Sequence, residues 1–251
     1  MSFLNDIFNF ILPPHCSVCG TPLEKKEKSI CDKCWGSIQI ITPPFCERCG
    51  KPSVDSVCNE CIEHPHEFTR ARALGEYKDV LRELLLLSKG ARPKISIWKR
   101  LGVMLGKVLK NDEVLSKVEA LIPVPLYPVV RRARGYNQSE ILAQEVSNWT
   151  EIPKLTNVLF QTRPTKPQKS FALEKFSYEE RREKRKLNIE NAFRVGSSSR
   201  SSFDIKDKKL LLIDDVCTTG ATLDECAKEL YKAGANEIYA LVVARASSPV
   251  A

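Results

Sequence analysis

Lys209-Leu210-Leu211-Leu212-Ile213-Asp214-Asp215-Val216-Cys217-Thr218-Thr219-Gly220-Ala221-Thr222-Leu223 is the stretch whose reading decides the fold. The four apolar residues 210–213 predict a strand buried on both faces, as in a parallel sheet. Asp214 and Asp215 follow at its carboxyl end, where open α/β sheets place their ligands. Small residues then lead from Thr218 to Thr222 into a helical pattern, 223–233, that stops at Gly234. A strand, a small-residue turn and a helix start bring backbone N–H groups, Thr hydroxyls and the helix dipole around one phosphate. Gly220 lets the backbone approach that phosphate with no Cβ in the way. The acid pair has a separate task, to accept hydrogen bonds from two neighbouring ribose hydroxyls. A generic capped turn needs neither both acids nor three threonines and a glycine in this order.

Upstream, residues 119–124 read as a second buried strand, which Pro123 and Pro125 prevent from continuing as a regular ladder. The loop that follows carries Arg131, Arg132 and Arg134, then Gly135, before a helix at about 137–147. Guanidiniums fixed beside a helix start suit a pyrophosphate; an exposed basic turn is the plainer alternative. Residues 74–89 give a strand-like entry and a Leu-rich helix, 101–109 a second helical stretch, and 237–243 a closing strand. Lys89, at the end of the Leu-rich helix, reads as a cap for the last carbonyls rather than a phosphate ligand. Cys217 and Cys226 read as small buried residues. Residues 196–202 read as a surface loop, and 247–251 as a frayed end.

The front of the chain is different in kind. Of ten cysteines, eight form four Cys-x-x-Cys pairs: Cys16 with Cys19, Cys31 with Cys34, Cys46 with Cys49, and Cys58 with Cys61. Each pair points two sulfurs at one ion, and two pairs complete a tetrahedral thiolate site. The repeated Pro-x-Cys-x-x-Cys-Gly at 14–20 and 44–50 looks like one ribbon unit used twice. Neighbouring knuckles would pair as Cys16, Cys19, Cys31, Cys34 and Cys46, Cys49, Cys58, Cys61; a cross-braced pairing is the alternative. Either way two structural zinc ions are expected, closed to chemistry and there for shape. With four sulfurs per site, His15, His64 and His66 are expected to be exposed, or to sit behind the ligands.

At 251 residues the chain has room for one medium domain and an appendage. The boundaries expected are a zinc-ribbon module at 1–66, with a short amino-terminal helix, and an α/β domain at 67–251. Residues 1–12 are apolar at 3, 4, 7, 8 and 11 but lack Lys and Arg, which favours a docked amphipathic helix over membrane contact. No apolar run nears the roughly 18–20 residues that span a bilayer, and no secretory leader is evident. The chain is therefore expected to be cytoplasmic, without membrane insertion. The net charge is +8, and segment 163–186 concentrates it, with nine Lys or Arg against four Glu. A polyanionic partner or a solvated charged loop would each account for that run.

The 209–223 segment resembles the phosphoribosyl pyrophosphate signature of type I phosphoribosyltransferases. The likeness narrows to the ComF (ComFC) family, linked to natural competence and DNA uptake in bacteria. It rests on three further features: the ribbon front end; Ile122-Pro-Val-Pro-Leu-Tyr-Pro128 with Arg132 and Arg134-Gly-Tyr-Asn-Gln138; and Gln168, Arg185, Asn188 and Ala192-Phe193. It spans residues 8–245. The resemblance implies a type I phosphoribosyltransferase fold, a mainly parallel sheet flanked by helices, behind the ribbons. It implies Mg²⁺ with phosphoribosyl pyrophosphate as ligand, on Asp214, Asp215, Thr218, Thr219, Gly220, Ala221 and Thr222. Arg132 and Arg134 would serve the leaving pyrophosphate, with Asn137, Gln138, Gln168 and Arg185 as loop candidates. The basic segment falls where such enzymes carry a closing loop. Two departures stand out: Val129 and Val130 replace residues often basic in the family, and the span from Gln168 to Arg185 is longer than usual. No general base and no acceptor are readable. A non-catalytic accessory handling single-stranded DNA beside a competence helicase or other uptake proteins, or a phosphoribosyl pyrophosphate sensor, would use the same pocket.

Overall fold

The computed structural model describes residues 14–23, 29–90, 93–166, 177–196 and 203–246. The expected amino-terminal helix, Gln168, most of the 196–202 loop and the 247–251 end lie outside them.

Four strands, β1 (Arg70–Glu76), β2 (Ala120–Pro123), β5 (Lys209–Cys217) and β6 (Glu237–Arg245), form one sheet in the order β1-β6-β5-β2, every pairing parallel. Two three-residue strands, β3 (Leu159–Gln161) and β4 (Phe193–Val195), pair antiparallel as a separate ribbon. Period-two alternation divides the central strand between two cores. Leu211 and Ile213 face one side with Leu241 and Val243; Leu210 and Leu212 face the other with Ile238, Ala240 and Val242. On the first side pack α3 (Asp79–Lys89), α4 (Ile95–Asn111) and α6 (Gln138–Thr150); on the second packs α8 (Ala221–Lys232).

Among the described residues the expected strands and helices are present, with three differences. β5 runs past Ile213 to Cys217, because β6 keeps pairing with it as far as Cys217↔Arg245; the acids thus stand inside the strand. The basic loop after β2 is a helix, α5 (Pro128–Arg134): Pro128 sits at its first turn, where its missing N–H costs nothing, and Gly135 ends it at φ 82°. The end of the charged segment is also helical, α7 (Tyr178–Ile189), closed by a capping box in which Ser177 accepts from the Glu180 N–H and Glu180 from the Ser177 N–H.

The ribbons carry two short helices, α1 (Asp32–Gly36) and α2 (Asn59–Glu63). The first ribbon shares the larger core, with Ile30, Trp35 and Ile38 buried alongside Leu81, Leu84 and Leu101. The second keeps its own cluster, Cys46, Cys49, Cys58 and Cys61, with Val57 packed against it. No described helix is long and apolar enough to cross a membrane.

Candidate functional site

The end of β5, the start of α8 and the start of α6 converge on one cavity of about 430 Å³. Asp214 is buried; its Oδ1 accepts from Ser139 Oγ at 3.0 Å and from the Asp215 N–H at 2.8 Å. Burial first, and the neighbouring charge of Asp215 second, push the Asp214 carboxyl up to about 7. Asp215, also buried, forms an ion pair with Lys89 Nζ. Lys89 is therefore a cation of the site and not the helix cap that its position suggests. Its partner is remote in sequence, so no local pattern could reveal it.

Thr219, Ala221 and Thr222 line the same cavity, while Thr218 and Gly220 line a small hollow beside it with Ala221 and Thr222. Gly220 has φ 83°, a left-handed conformation costly for residues with a Cβ, and caps α8. A Cβ there would lie 2.5 Å from the His66 ring. His66 corrects the expectation for the histidines: it is neither exposed nor behind a sulfur ligand. Its ring is buried, stacks on Phe68 with centroids 4.4 Å apart, and places Nδ1 3.0 Å from the Asp224 carboxylate. His64 pairs with Glu179 at 3.2 Å, and His15 bridges to Pro22.

The arginines separate. Arg134 faces the cavity and donates to Gln138 Oε1 at 2.6 Å, and Gln138 also lines it. Arg132 is exposed on α5 and is not among the lining residues, and Arg131 pairs outside with Glu140 at 2.8 Å. Asn137 turns inward: it caps α6 by accepting from the Ser139 N–H and donates to the Val124 carbonyl, each at 3.0 Å. It is a structural cap that aims α6 and Ser139 at Asp214. The opposite wall comes from the β3–β4 ribbon and α7, with Gln161, Phe193, Arg185 and Asn188. Asn188 ties that wall together, accepting from the Lys166 N–H at 2.9 Å and donating to its carbonyl at 3.1 Å. Cys217 and Cys226 are buried, as expected of small core residues.

The knuckles pair with their neighbours. Cys16, Cys19, Cys31 and Cys34 form one group, and Cys46, Cys49, Cys58 and Cys61 the other, with all sulfurs of a group within 4.8 Å of one another. The sulfur–sulfur separations are 3.8 Å for Cys16–Cys34, 3.6 Å for Cys19–Cys31, and 3.8 Å for both Cys46–Cys61 and Cys49–Cys58. A tetrahedral ion with metal–sulfur bonds of about 2.3 Å needs edges of about 3.8 Å, whereas a disulfide needs about 2.05 Å. The donor sets fit zinc. Backbone N–H groups of Cys31, Cys34 and Cys58 add 3.4 Å contacts to ligand sulfurs.

A double zinc ribbon domain model matches residues 7–63, and a phosphoribosyl transferase domain model matches residues 139–250. The chain is 30% identical over 246 residues to competence protein F of Haemophilus influenzae, covering 96% of this chain and 99% of that one. It is 26% identical over 224 residues to the DNA utilization protein YhgH of Escherichia coli, covering 88% and 85%. It is also 26% identical over 222 residues to competence protein ComFC of Bacillus subtilis, covering 84% and 82%. The parallel sheet flanked by helices, behind two four-cysteine ribbons, is the type I phosphoribosyltransferase architecture expected from the sequence.

Proposed function

We propose, because the chain belongs to the competence protein F and ComFC family, that it binds Mg²⁺–phosphoribosyl pyrophosphate in the cytoplasm as part of handling imported DNA. One observation carries the reading: the acid pair, Thr219, Ala221 and Thr222 of the phosphate-type turn, and four cations, Lys89, Arg134, Lys166 and Arg185, line a single cavity. Asp214 and Asp215 accept the ribose hydroxyls. The turn at 218–222 holds the 5′-phosphate through N–H groups, hydroxyls and the α8 dipole. Arg134, with Lys89 close by, steadies the pyrophosphate as its bond to the anomeric carbon breaks and a nitrogen nucleophile forms the new one. Magnesium, when bound, supplies charge neutralisation to the pyrophosphate. A cation already sits on Asp215 and burial raises the Asp214 carboxyl to about 7, so the pair suits a hydroxyl-bearing ligand. Arg132 stays a candidate for pyrophosphate only if α5 turns toward the cavity. The two structural zinc ions hold the ribbons of a module at 1–66, ahead of the ligand-binding domain at 67–251.

Phe193, Gln161 and α7 form the wall where an acceptor or a closing lid would sit, and closure there would keep water from the reacting ribose. A second reading draws on the same helix: Lys184 and Lys186 are exposed on α7, as suits contact with single-stranded DNA by a non-catalytic accessory. Incubation with labelled phosphoribosyl pyrophosphate, Mg²⁺ and a panel of bases and amines tests catalysis. Acceptor-dependent pyrophosphate release supports a transferase; tight binding without release leaves the accessory or sensor role.

A further inference from the structure

We propose that Arg245 is a positioning residue through which the second ribbon's metal holds the phosphate turn in shape, so that losing that metal, and not the first, loosens the turn. The inference rests on the reading of 218–222 as a phosphate site.

Arg245 ends β6 and is 1% exposed. A buried guanidinium is tolerated only with charge and hydrogen-bond partners around it. Its partners come from two places. It donates to the carbonyls of Cys217, at 3.2 Å, and Thr218, the two residues that open the turn. On its other side it faces Glu60 at 3.8 Å, on α2 between Cys58 and Cys61. Four sulfurs closed on one ion hold α2, and Glu60 with it, beside the guanidinium. Without the ion the knuckle that carries α2 comes loose, and Arg245 loses the partner that fixes its aim at the turn.

An independent contact grips the other end of the turn. Arg48, between Cys46 and Cys49, donates to the His66 carbonyl at 2.8 Å. The His66 ring fills the space under Gly220 and pairs with Asp224 in the first turn of α8. The second ribbon thus contacts the turn at Cys217–Thr218 through Arg245 and at Gly220 through His66. The first ribbon packs into the core on the opposite face of the sheet from α8. Cys16 and Cys34 belong to that first core, whereas Cys217 and Leu223 beside the turn belong to the other.

The test compares amide exchange across 217–222, zinc content and Mg²⁺–phosphoribosyl pyrophosphate affinity in the full-length protein. Arg245→Met should keep both zinc ions yet speed exchange in the turn and weaken the ligand on the order of tenfold to a hundredfold, the loss expected for charge-assisted hydrogen bonds. Arg245→Lys should recover part of both effects. Cys58→Ser should release about one zinc and speed the same amides, whereas Cys19→Ser should release about one zinc and leave them alone. Wild-type exchange in Arg245→Met, or equal effects of Cys19→Ser and Cys58→Ser on the turn, would overturn the proposal. Should Cys58→Ser unfold the sheet as a whole, Arg245→Met decides. Exchange needs no ligand, so a wild-type protein that ignores phosphoribosyl pyrophosphate would count against the functional reading and leave this test intact.

Discussion

Replacing Lys89 with Met removes the ammonium from Asp215 while keeping most of the aliphatic stem. Two adjacent carboxylates, 9% and 7% exposed, then face each other with less positive charge nearby. A unit charge pair at roughly 4 Å is worth about 4 kcal/mol at an effective dielectric of about 20. The Lys89 side chain is 27% exposed, so solvent screening reduces this to about 1–2 kcal/mol. The loss should depend on pH with a definite sign. The folded-state Asp214 carboxyl is raised from its ordinary value of 3.8 to about 7. Over that window the native state binds more protons than the unfolded chain, so stability falls as pH rises and the penalty is complete above it. Without Lys89 the window extends upward. Denaturant melts should therefore show Lys89→Met weakened at both pH values by loss of the Asp215 pair, and weakened more near about pH 8, where Asp214 is also charged, than near about pH 6, the total near about pH 8 being about 1–2 kcal/mol. A loss that does not grow between the two pH values would refute the coupling of Lys89 to Asp214.

Elemental analysis should find about two zinc equivalents, and Cys46→Ser should release about one of them; absent zinc with Cys-x-x-Cys disulfides by mass spectrometry would contradict the tetrahedral groups. Gly220→Ala forces a Cβ into a left-handed position against His66, at a cost of about 1–3 kcal/mol, so its melting temperature should drop and ligand protection should vanish. An unchanged melting temperature would mean that His66 yields freely. For α7, Lys184→Gln with Lys186→Gln should lower the log–log salt slope of single-strand binding by about 1.4 if both touch phosphates, at about 0.7 each. An unaltered slope removes those lysines from any DNA path. Arg185→Gln should instead speed proteolysis of α7 in the presence of ligand, if the helix closes over the cavity.

The sheet was legible because its central strand is an unbroken apolar run, and the site's floor because acids, threonines and glycine follow it in order. The ribbons were legible from spacing alone. Only their pairing needed coordinates, since four equal knuckles can be joined in more than one way. The helix at Pro128–Arg134 escaped because three arginines and two exposed valines give it no apolar face, although Pro128 and Gly135 mark its ends. The β3–β4 ribbon escaped because three-residue strands carry too little alternation to count. Lys89, Ser139, His66 and Arg245 share one reason for being missed. Each meets its partner across a long stretch of chain, Ser139 with Asp214 and His66 with Asp224 among them, and local pattern says nothing about such pairs.

The acid pair is tested most directly by titrating Mg²⁺–phosphoribosyl pyrophosphate into the wild-type protein and into Asp214→Asn with Asp215→Asn, following the melting temperature. The wild type should gain about 2.7 kcal/mol at a ligand concentration about a hundredfold above the dissociation constant, a rise of several degrees for a chain of this size. The double variant should keep its zinc and show no rise. A double variant that responds like the wild type would place the ribose somewhere other than Asp214 and Asp215.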